Sequence, residues 1–320
     1  MPPLLLPIAA IVVAPVLLYV GAGWLVTGAV LAGRAARIRS MVIGLTLVAF
    51  ATSAPELVVG IVSALRRVPT VAVGNVIGAN VANIGLIIGI SALVAPMALA
   101  RSTWRKEIPM ALAVQVVLFV LCLGGVLARW EGAILILLLV AFIVIMVVTR
   151  KDADLPDATK EVDAPPPATA RRFVPLIASG VAMLAGGGYL LVHGATRVAE
   201  AAGLSNLAVG ASLVAFLTTV PELATSVIAA RRGEGDIAVG NAVGSILFNS
   251  ALVLGTTALI RPLPIADATA LVKVPIMIGM LVAMMAVART GFRVYRHEGA
   301  LLLAGYIAFT IYVVLTGTGG

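Results

Sequence analysis

The chain consists of long apolar stretches joined by short polar connections. A helix that crosses a membrane needs about 20 mainly apolar residues, and the pattern predicts ten such spans. Their approximate bounds are 5–33, 41–65, 70–95, 107–127, 131–149, 173–199, 206–230, 236–260, 271–289 and 298–317. Hydrophobic residues make up 61% of the sequence and charged residues only 11%, as is typical of integral membrane proteins. The predicted fold class is therefore an all-α membrane protein.

One connection, at 150–172, is longer and more polar than the others. It holds several acidic and basic side chains and the run Pro165-Pro166-Pro167. A segment of this length and composition is too short for a domain and is typical of a flexible linker. We therefore expect three parts: a five-helix repeat at 1–149, the linker at 150–172, and a second five-helix repeat at 173–320.

Two sequence motifs occur once in each half, always 166 residues apart. The first motif reads GLTLVAFATSAPEL at 44–57 and GASLVAFLTTVPEL at 210–223. The second reads GNVIGANVAN at 74–83 and GNAVGSILFN at 240–249. The first motif places Glu56 and Glu222 within apolar stretches, where an isolated charge costs about 2.5–3.5 kcal/mol or more. Two carboxylates in matched positions indicate an intramembrane cation site.

The distribution of Lys and Arg predicts the orientation in the membrane, because cytoplasmic connections are enriched in basic residues. With ten spans, 16 basic residues fall on one side and six on the other. We expect the linker to be cytoplasmic and both termini to lie outside. Since each half has five spans, the two halves enter the membrane from opposite sides. The chain is thus predicted to form two inverted five-helix repeats, the usual build of a secondary transporter.

Each copy of the first motif brings oxygen atoms together within about one helical turn. Residues four apart share a helix face, which pairs Thr52 with Glu56 and Thr218 with Glu222; Ser53 and Thr219 flank them. The proline before each glutamate lacks an amide hydrogen, so a nearby carbonyl loses its helical donor. Hard cations such as Na⁺ and Ca²⁺ bind such all-oxygen sets.

The second motif adds neutral ligands to the two carboxylates. Asn83 and Asn249 offer amide oxygens, and Ser245 offers a hydroxyl. The protein charge at the centre is then −2, which one divalent cation, two monovalent cations or two protons would neutralise. Competition between these occupancies is the simplest basis for exchange.

Several other functions are disfavoured by the sequence. The formal net charge of +8 reflects basic residues in the connections, so we expect no nucleic-acid partner. The lone Cys122 forms no cysteine metal motif, and we expect no resident cofactor and no enzymatic activity. An intramembrane hydrolase would need an Asp pair or a Ser/His or metal/His set. An ion channel has similar ligands, but an inverted repeat around a midplane site favours alternating access.

The two motifs resemble those of the sodium/calcium exchanger family, within the cation/calcium antiporter superfamily, and in particular its small prokaryotic members. The resemblance covers nearly the whole chain. It implies a Na⁺/Ca²⁺ antiporter in a prokaryotic cell membrane, with Ca²⁺ and Na⁺ as transported partners. The sequence does not predict an oligomeric state, and we expect a monomer to be sufficient for transport. The resemblance also implies that the first and sixth spans slide as a gating unit. The ion ligands it implies are Glu56, Glu222, Thr52, Ser53, Thr218, Thr219 and Ser245, with backbone oxygens near Ala49 and Ala215.

Three positions depart from the family pattern. Ala79 and Ile246 stand where a serine and an asparagine are usual, and Asn249 is neutral where some archaeal relatives have aspartate. Fewer hydroxyls and no third acid leave H⁺ coupling as the alternative to Na⁺ coupling.

Overall fold

The structure is a computed structural model that describes residues 4–36, 38–148, 169–201, 214–266, 269–289 and 291–316. These residues form helices and two short sheets. The helices of the first half are α1 (Leu5–Ala36), α2 (Ser40–Thr52), α3 (Ala54–Leu65), α4 (Thr70–Val94), α5 (Ile108–Cys122) and α6 (Arg129–Val148). Those of the second half are α7 (Ala170–Ala201), α8 (Val214–Thr218), α9 (Val220–Arg231), α10 (Gly235–Ile260), α11 (Val274–Val287) and α12 (Arg296–Thr316).

The described helices account for roughly ten spans when α2 with α3, and α8 with α9, are each counted as one interrupted span. Among the described residues, six helices are individually long and apolar enough to cross a membrane, and the bent pair α2–α3 adds a seventh. The multi-pass, all-helical architecture predicted from hydropathy is confirmed. Part of the predicted span 206–230 and most of the predicted linker lie outside the described residues.

Some predicted boundaries differ from the structure by a few residues. The span predicted at 107–127 ends as a helix at Cys122, because the glycine turn that follows contains Gly125 at φ 74°. Its last two residues form a strand instead. The span predicted to begin at 173 begins at Ala170, so two arginines assigned to the linker belong to the first turn of α7.

Two small antiparallel sheets join the halves to each other. Strand β1 (Met97–Ala98) pairs with β4 (Arg293–Val294), and β2 (Val126–Leu127) pairs with β3 (Leu263–Pro264). The offset between equivalent strands is 166 residues for β1 and β3 and 167 for β2 and β4. Each sheet is therefore the counterpart of the other in the inverted repeat.

Helices α1 and α7 pack against each other along much of their length. Glycines permit this close approach: a Cβ at Gly28 would lie 2.7 Å from the Ile177 side chain, and one at Gly194 would lie 2.7 Å from the Pro7 carbonyl. Small residues at a helix interface let the backbones come together in a membrane. Since Gly28 and Gly194 are 166 residues apart, this packing also follows the repeat.

Helices α4 and α10 form the centre of the molecule. Along α10 nearly every residue is buried, and α4 is buried to a similar degree. Both helices change to a π-helical turn at the end of the second motif, at Asn83–Ile88 and Phe248–Val253. A π-turn widens the helix by one residue and frequently accompanies a functional site.

Candidate functional site

The first motif interrupts a membrane span in both halves. Helices α2 and α3 meet at an angle of 45°, and Ser53 between them has φ −82° and ψ 6°. The equivalent residue, Thr219, has φ −81° and ψ −3° between α8 and α9. A proline follows each break at the start of the next helix, a position that suits its missing amide hydrogen. The sequence thus dictates where both spans break.

Each break starts a helix whose first turn contains a glutamate, Glu56 in α3 and Glu222 in α9. The amide groups at a helix N-terminus carry partial positive charge and favour a nearby anion. Both side chains are fully buried. Neither forms an ion pair with any described residue, so no Lys or Arg in this part of the chain neutralises them.

The two carboxylates belong to one site at the interface of the repeats. The Ser53 hydroxyl, from the first half, donates a hydrogen bond of 3.4 Å to Oε1 of Glu222 in the second. The Thr218 side chain, from the second half, lies beside Glu56. Each glutamate is therefore approached by a hydroxyl from the opposite repeat.

Several buried polar atoms at this interface have no hydrogen-bond partner among the described residues. Leaving a buried polar group unpaired is unfavourable, and an unpaired buried charge is far more so. The unpaired oxygens are Oε1 and Oε2 of Glu56, Oε2 of Glu222, Oγ of Ser245 and Oδ1 of Asn83 and Asn249. Carboxylate, amide and hydroxyl oxygens are the ligands of hard cations. The donor set fits a cation better than it fits an empty apolar core.

The helices bring the predicted ligands together across the repeats. Helix α9, which holds Glu222, packs against the π-turn that begins at Asn83. Helix α3, which holds Glu56, packs against the π-turn Phe248–Val253, which contains Asn249. Thr52, Ser53, Thr218, Thr219 and Ser245 are all buried at these contacts.

Of the two predicted backbone ligands, the structure gives details for one. Ala49 is buried in α2, and its carbonyl accepts bonds from the Ser53 amide at 2.9 Å and the Thr52 hydroxyl at 3.3 Å. A cation would share this oxygen with two donors. Ala215 lies in α8.

Two asparagines that were not among the predicted ligands hold the site together. Asn241 accepts a hydrogen bond from the Thr52 hydroxyl at 3.1 Å and donates to the Glu222 carbonyl at 3.3 Å. Its counterpart Asn75 accepts from the Thr218 hydroxyl at 3.5 Å. The repeated Gly-Asn pair that opens the second motif was the available signal.

A second polar cluster has no counterpart in the repeat. Asn80 donates to the Ser250 hydroxyl at 2.7 Å, and Ser250 donates to Oε1 of Gln115 at 2.8 Å. All three side chains are fully buried. The cluster ties α4 and α5 of the first half to α10 of the second.

The described residues contain no group of three or more His, Cys, Asp or Glu side chains arranged to hold a metal. The site therefore depends on two carboxylates and neutral oxygens, which suits a cation that must be released. A resident catalytic metal usually has several charged or imidazole ligands.

Comparison with known proteins identifies the family. The sodium/calcium exchanger protein family matches residues 6–148 and 173–315. The chain belongs to the sodium/calcium exchanger family. It is a cation antiporter of that family and not an enzyme, as the sequence predicted.

Relatives of this antiporter span nearly its whole length. It is 37% identical to the putative antiporter CaxA of Alkalimonas amylolytica over 93% of the chain and 96% of the relative. It is 34% identical to the inner membrane protein YrbG of Escherichia coli over 81% of each. A solved structure of the sodium-calcium exchanger NCX_Mj, soaked with Na⁺ and Sr²⁺, superposes with a TM-score of 0.85 at 28% identity. That match covers 97% of this chain and 99% of the other.

Proposed function

We propose that this antiporter exchanges Na⁺ for Ca²⁺ by alternating access, with Glu56 and Glu222 as the central ligands. The observation that carries the proposal is a pair of fully buried carboxylates, one from each repeat, three of whose four oxygens have no hydrogen-bond partner among the described residues. The ligand set is completed by the side chains of Thr52, Ser53, Asn83, Thr218, Thr219, Ser245 and Asn249 and by the carbonyls of Ala49 and Ala215.

The charge of this site makes exchange obligatory. One Ca²⁺ neutralises the charge of −2, and so do two Na⁺ ions. An empty site would carry both charges into a medium of low dielectric constant, which is unfavourable by several kcal/mol. The repeats therefore reorient readily only when cations occupy the site, and each ion released is replaced by its competitor.

Two relatives support calcium and sodium as the exchanged ions. MaX1 of Methanosarcina acetivorans, named a sodium/calcium exchanger, is 28% identical over 92% of this chain and 95% of its own length. The structures of NCX_Mj were obtained after soaking with Na⁺ and with Ca²⁺ or Sr²⁺.

A proton-coupled exchanger of Ca²⁺ or another divalent cation is the second candidate. Ala79 stands at the position equivalent to Ser245, so the first repeat lacks one hydroxyl ligand for Na⁺. Asn83 and Asn249 at the π-turns are neutral, so Glu56 and Glu222 are the acidic side chains in the proposed ligand set. Protons on these two carboxylates would satisfy the same charge balance as two Na⁺ ions.

Uptake of ⁴⁵Ca²⁺ into proteoliposomes distinguishes the candidates. Vesicles loaded with Na⁺ are diluted into Na⁺-free medium, and parallel vesicles receive a pH gradient at constant Na⁺. We expect uptake with the Na⁺ gradient. Uptake driven by the pH gradient alone would replace Na⁺ by H⁺ as the coupling ion, and uptake in the absence of both gradients would exclude an antiporter.

We further propose a prokaryotic cell-membrane location with both termini outside, a cytoplasmic linker at 150–172, and repeats at 1–149 and 173–320. The excess of Lys and Arg on the linker side supports this orientation. Alkaline phosphatase fused after residue 316 should be active in the periplasm, and a fusion within the linker should be inactive. The reverse result would invert the topology.

A further inference from the structure

One arginine fastens α1 to the end of α9. Nη1 of Arg232 donates to the Gly23 carbonyl at 2.8 Å and to the Thr27 hydroxyl at 2.9 Å. A Cβ at Gly23 would lie 3.1 Å from Nη2 of Arg232, so the glycine leaves room for the guanidinium. The contact joins α1 of the first repeat to α9 of the second.

The first repeat contains the same turn with the same arginine. Arg66 is the C-cap residue that follows α3, with φ −78° and ψ 2°, and Arg232 is the C-cap residue that follows α9, with φ −87° and ψ 1°. The following residues, Arg67 and Gly233, both have positive φ, 64° and 79°. The amides of Arg66 and Arg232 also bond to equivalent carbonyls four residues earlier. The backbone therefore presents Arg66 to the molecule as it presents Arg232.

The repeat also predicts where Arg66 would bind. The positions equivalent to Gly23 and Thr27 are Tyr189 and His193 on α7. In this structure their rings stack on each other, with centroids 5.7 Å apart and planes 8° apart, and Tyr189 is 67% exposed. A neutral imidazole nitrogen accepts a hydrogen bond as a hydroxyl does, and aromatic faces attract a guanidinium. The pair is a chemically suitable acceptor for Arg66.

The two equivalent interfaces, α1–α9 and α7–α3, differ in how closely their helices pack. Helix α1 packs along α9, whereas the described parts of α7 and α3 touch at few positions. In an inverted repeat that works by alternating access, the two halves exchange their arrangements when the site changes sides. The α1–α9 interface, which is closed in this structure, should open in the other conformation, and the α7–α3 interface should close.

We propose that Arg232 and Arg66 are alternating latches that set the side to which the cation site opens. Arg232 holds α1 by Gly23 and Thr27 in the conformation described. Arg66 holds α7 by Tyr189 and His193 in the opposite one, and only one latch is closed at a time. The inference rests on the proposed alternating-access exchange and adds two residues outside the cation site that select its conformations.

Distance measurements between spin labels test the latches. In a Cys122→Ala background, one label pair joins α1 to α9 at Tyr19→Cys and Arg231→Cys, on the rim of a groove of about 400 Å³ beside Arg232. The equivalent pair joins α7 to α3 at Ala185→Cys and Leu65→Cys, both exposed positions. Double electron–electron resonance in nanodiscs then gives the short- and long-distance populations at both interfaces.

Arg232→Gln should at least double the long-distance population between α1 and α9 and raise the short-distance population between α7 and α3. Arg66→Gln should shift both populations the other way. Arg67→Gln, in the same turn, should leave both unchanged. Thr27→Val removes one of the two acceptors on α1 and leaves the Gly23 carbonyl, so it should shift the populations in the same direction as Arg232→Gln but by less. This variant separates loss of the latch from damage to α9.

A shift at one interface without the opposite shift at the other would overturn the alternating latches, and so would an Arg66→Gln variant identical to the parent. Flux in the same nanodisc-purified protein, reconstituted in vesicles, separates this failure from that of the proposed function. If Na⁺-driven Ca²⁺ uptake is normal but the distances at the α1–α9 and α7–α3 interfaces change independently of each other, the latches alone are refuted. If the distances at the two interfaces change in opposite directions but no Ca²⁺ uptake occurs, only the proposed identity of the transported ions is refuted.

Discussion

At the scale of single residues, the two glutamates have environments that differ from those of the other buried acids. Glu107 pairs with Arg39 at 3.1 Å, and Glu131 accepts a bond from the Ala128 amide at 2.7 Å. Glu56 has no comparable partner among the described residues. A buried acid with a partner has a structural explanation, whereas three of the four carboxylate oxygens of Glu56 and Glu222 lack a partner among the described residues, as expected of the proposed cation ligands.

Replacing either central glutamate should therefore stop exchange without unfolding the protein. We expect Glu56→Gln and Glu222→Gln to reduce Na⁺-driven ⁴⁵Ca²⁺ uptake to background, since each leaves a charge of −1 that cannot neutralise Ca²⁺. Their melting temperatures in detergent without Ca²⁺ should be no lower than that of the parent, because the substitution removes a buried charge. Glu131→Gln, which keeps an oxygen for its helix cap, should transport normally. Normal uptake by either central variant would refute the site.

The missing hydroxyl at Ala79 gives a second prediction. Ser245→Ala should weaken the binding of Na⁺ because it removes one neutral ligand. Ala79→Ser should strengthen the binding of Na⁺ because it adds one. A neutral polar contact contributes about 0.5–1.5 kcal/mol, so the Na⁺ concentration for half-maximal Ca²⁺ uptake should change by about 2- to 10-fold. Changes in the same direction for both variants would show that packing at these positions matters more than the hydroxyl.

Sequence analysis predicted polar residues that occur in both halves of the chain and missed those that occur in one half. Glu56, Glu222 and their hydroxyl neighbours were predicted as ligands because each occurs twice with a constant offset, and the structure buries all of them. Asn80, Ser250 and Gln115 escaped because their counterparts are apolar: Ile246, Ile84 and Leu281. A search by internal symmetry cannot find a polar cluster that exists once and is assembled from helices distant in sequence.

At the scale of elements, the prolines marked the broken spans but nothing marked the π-turns. A break at Pro55 follows from the missing amide hydrogen. A π-turn depends on which carbonyl each amide selects, and the apolar residues of Asn83–Ile88 fit an α-helix equally well. The hydropathy pattern therefore located the spans, while the geometry that orients Asn83 and Asn249 required the structure.

The closeness of α2 and α10 makes Gly244 a sensitive position. A Cβ there would meet the Leu45 carbonyl and lie 2.6 Å from the Ala49 Cβ, and Ala49 belongs to the proposed site. Gly244→Ala should therefore separate the two helices, destabilise the protein by about 1–3 kcal/mol and lower Ca²⁺ uptake.

Gly279→Ala is the matched control, because a Cβ at Gly279 would meet nothing within 4 Å. This substitution in the interior of α11 should leave uptake unchanged and raise the melting temperature slightly, as alanine favours a helix by about 0.5–1 kcal/mol over glycine. Thermal unfolding in detergent and uptake in vesicles measure both effects. If both alanine variants lost melting temperature and Ca²⁺ uptake equally, the close packing of helices at Gly244 would not explain the effect.

At the scale of the whole molecule, the two repeats meet at the charged site, at the pair α1–α7 and at the crossed sheets. The sheets are short, and the carboxylates of Glu56 and Glu222, when both are ionised, repel each other across the interface. A cation bound between them removes that repulsion and adds bonds to both halves. Occupancy of the site should therefore contribute to the stability of the whole assembly.

Calcium should accordingly raise the melting temperature of the purified protein. A ligand present at 100 times its dissociation constant stabilises the folded state by about 2.7 kcal/mol. Sr²⁺ should act similarly. Mg²⁺ should act weakly, because it requires a tight octahedron and releases its water reluctantly, whereas Ca²⁺ accepts a variable set of six to eight oxygens. Na⁺ should lower the effect of Ca²⁺ by competing for the same carboxylates. In Glu56→Gln and Glu222→Gln the shift should disappear, and a Ca²⁺ shift that survived in both variants would place the ion elsewhere in the molecule.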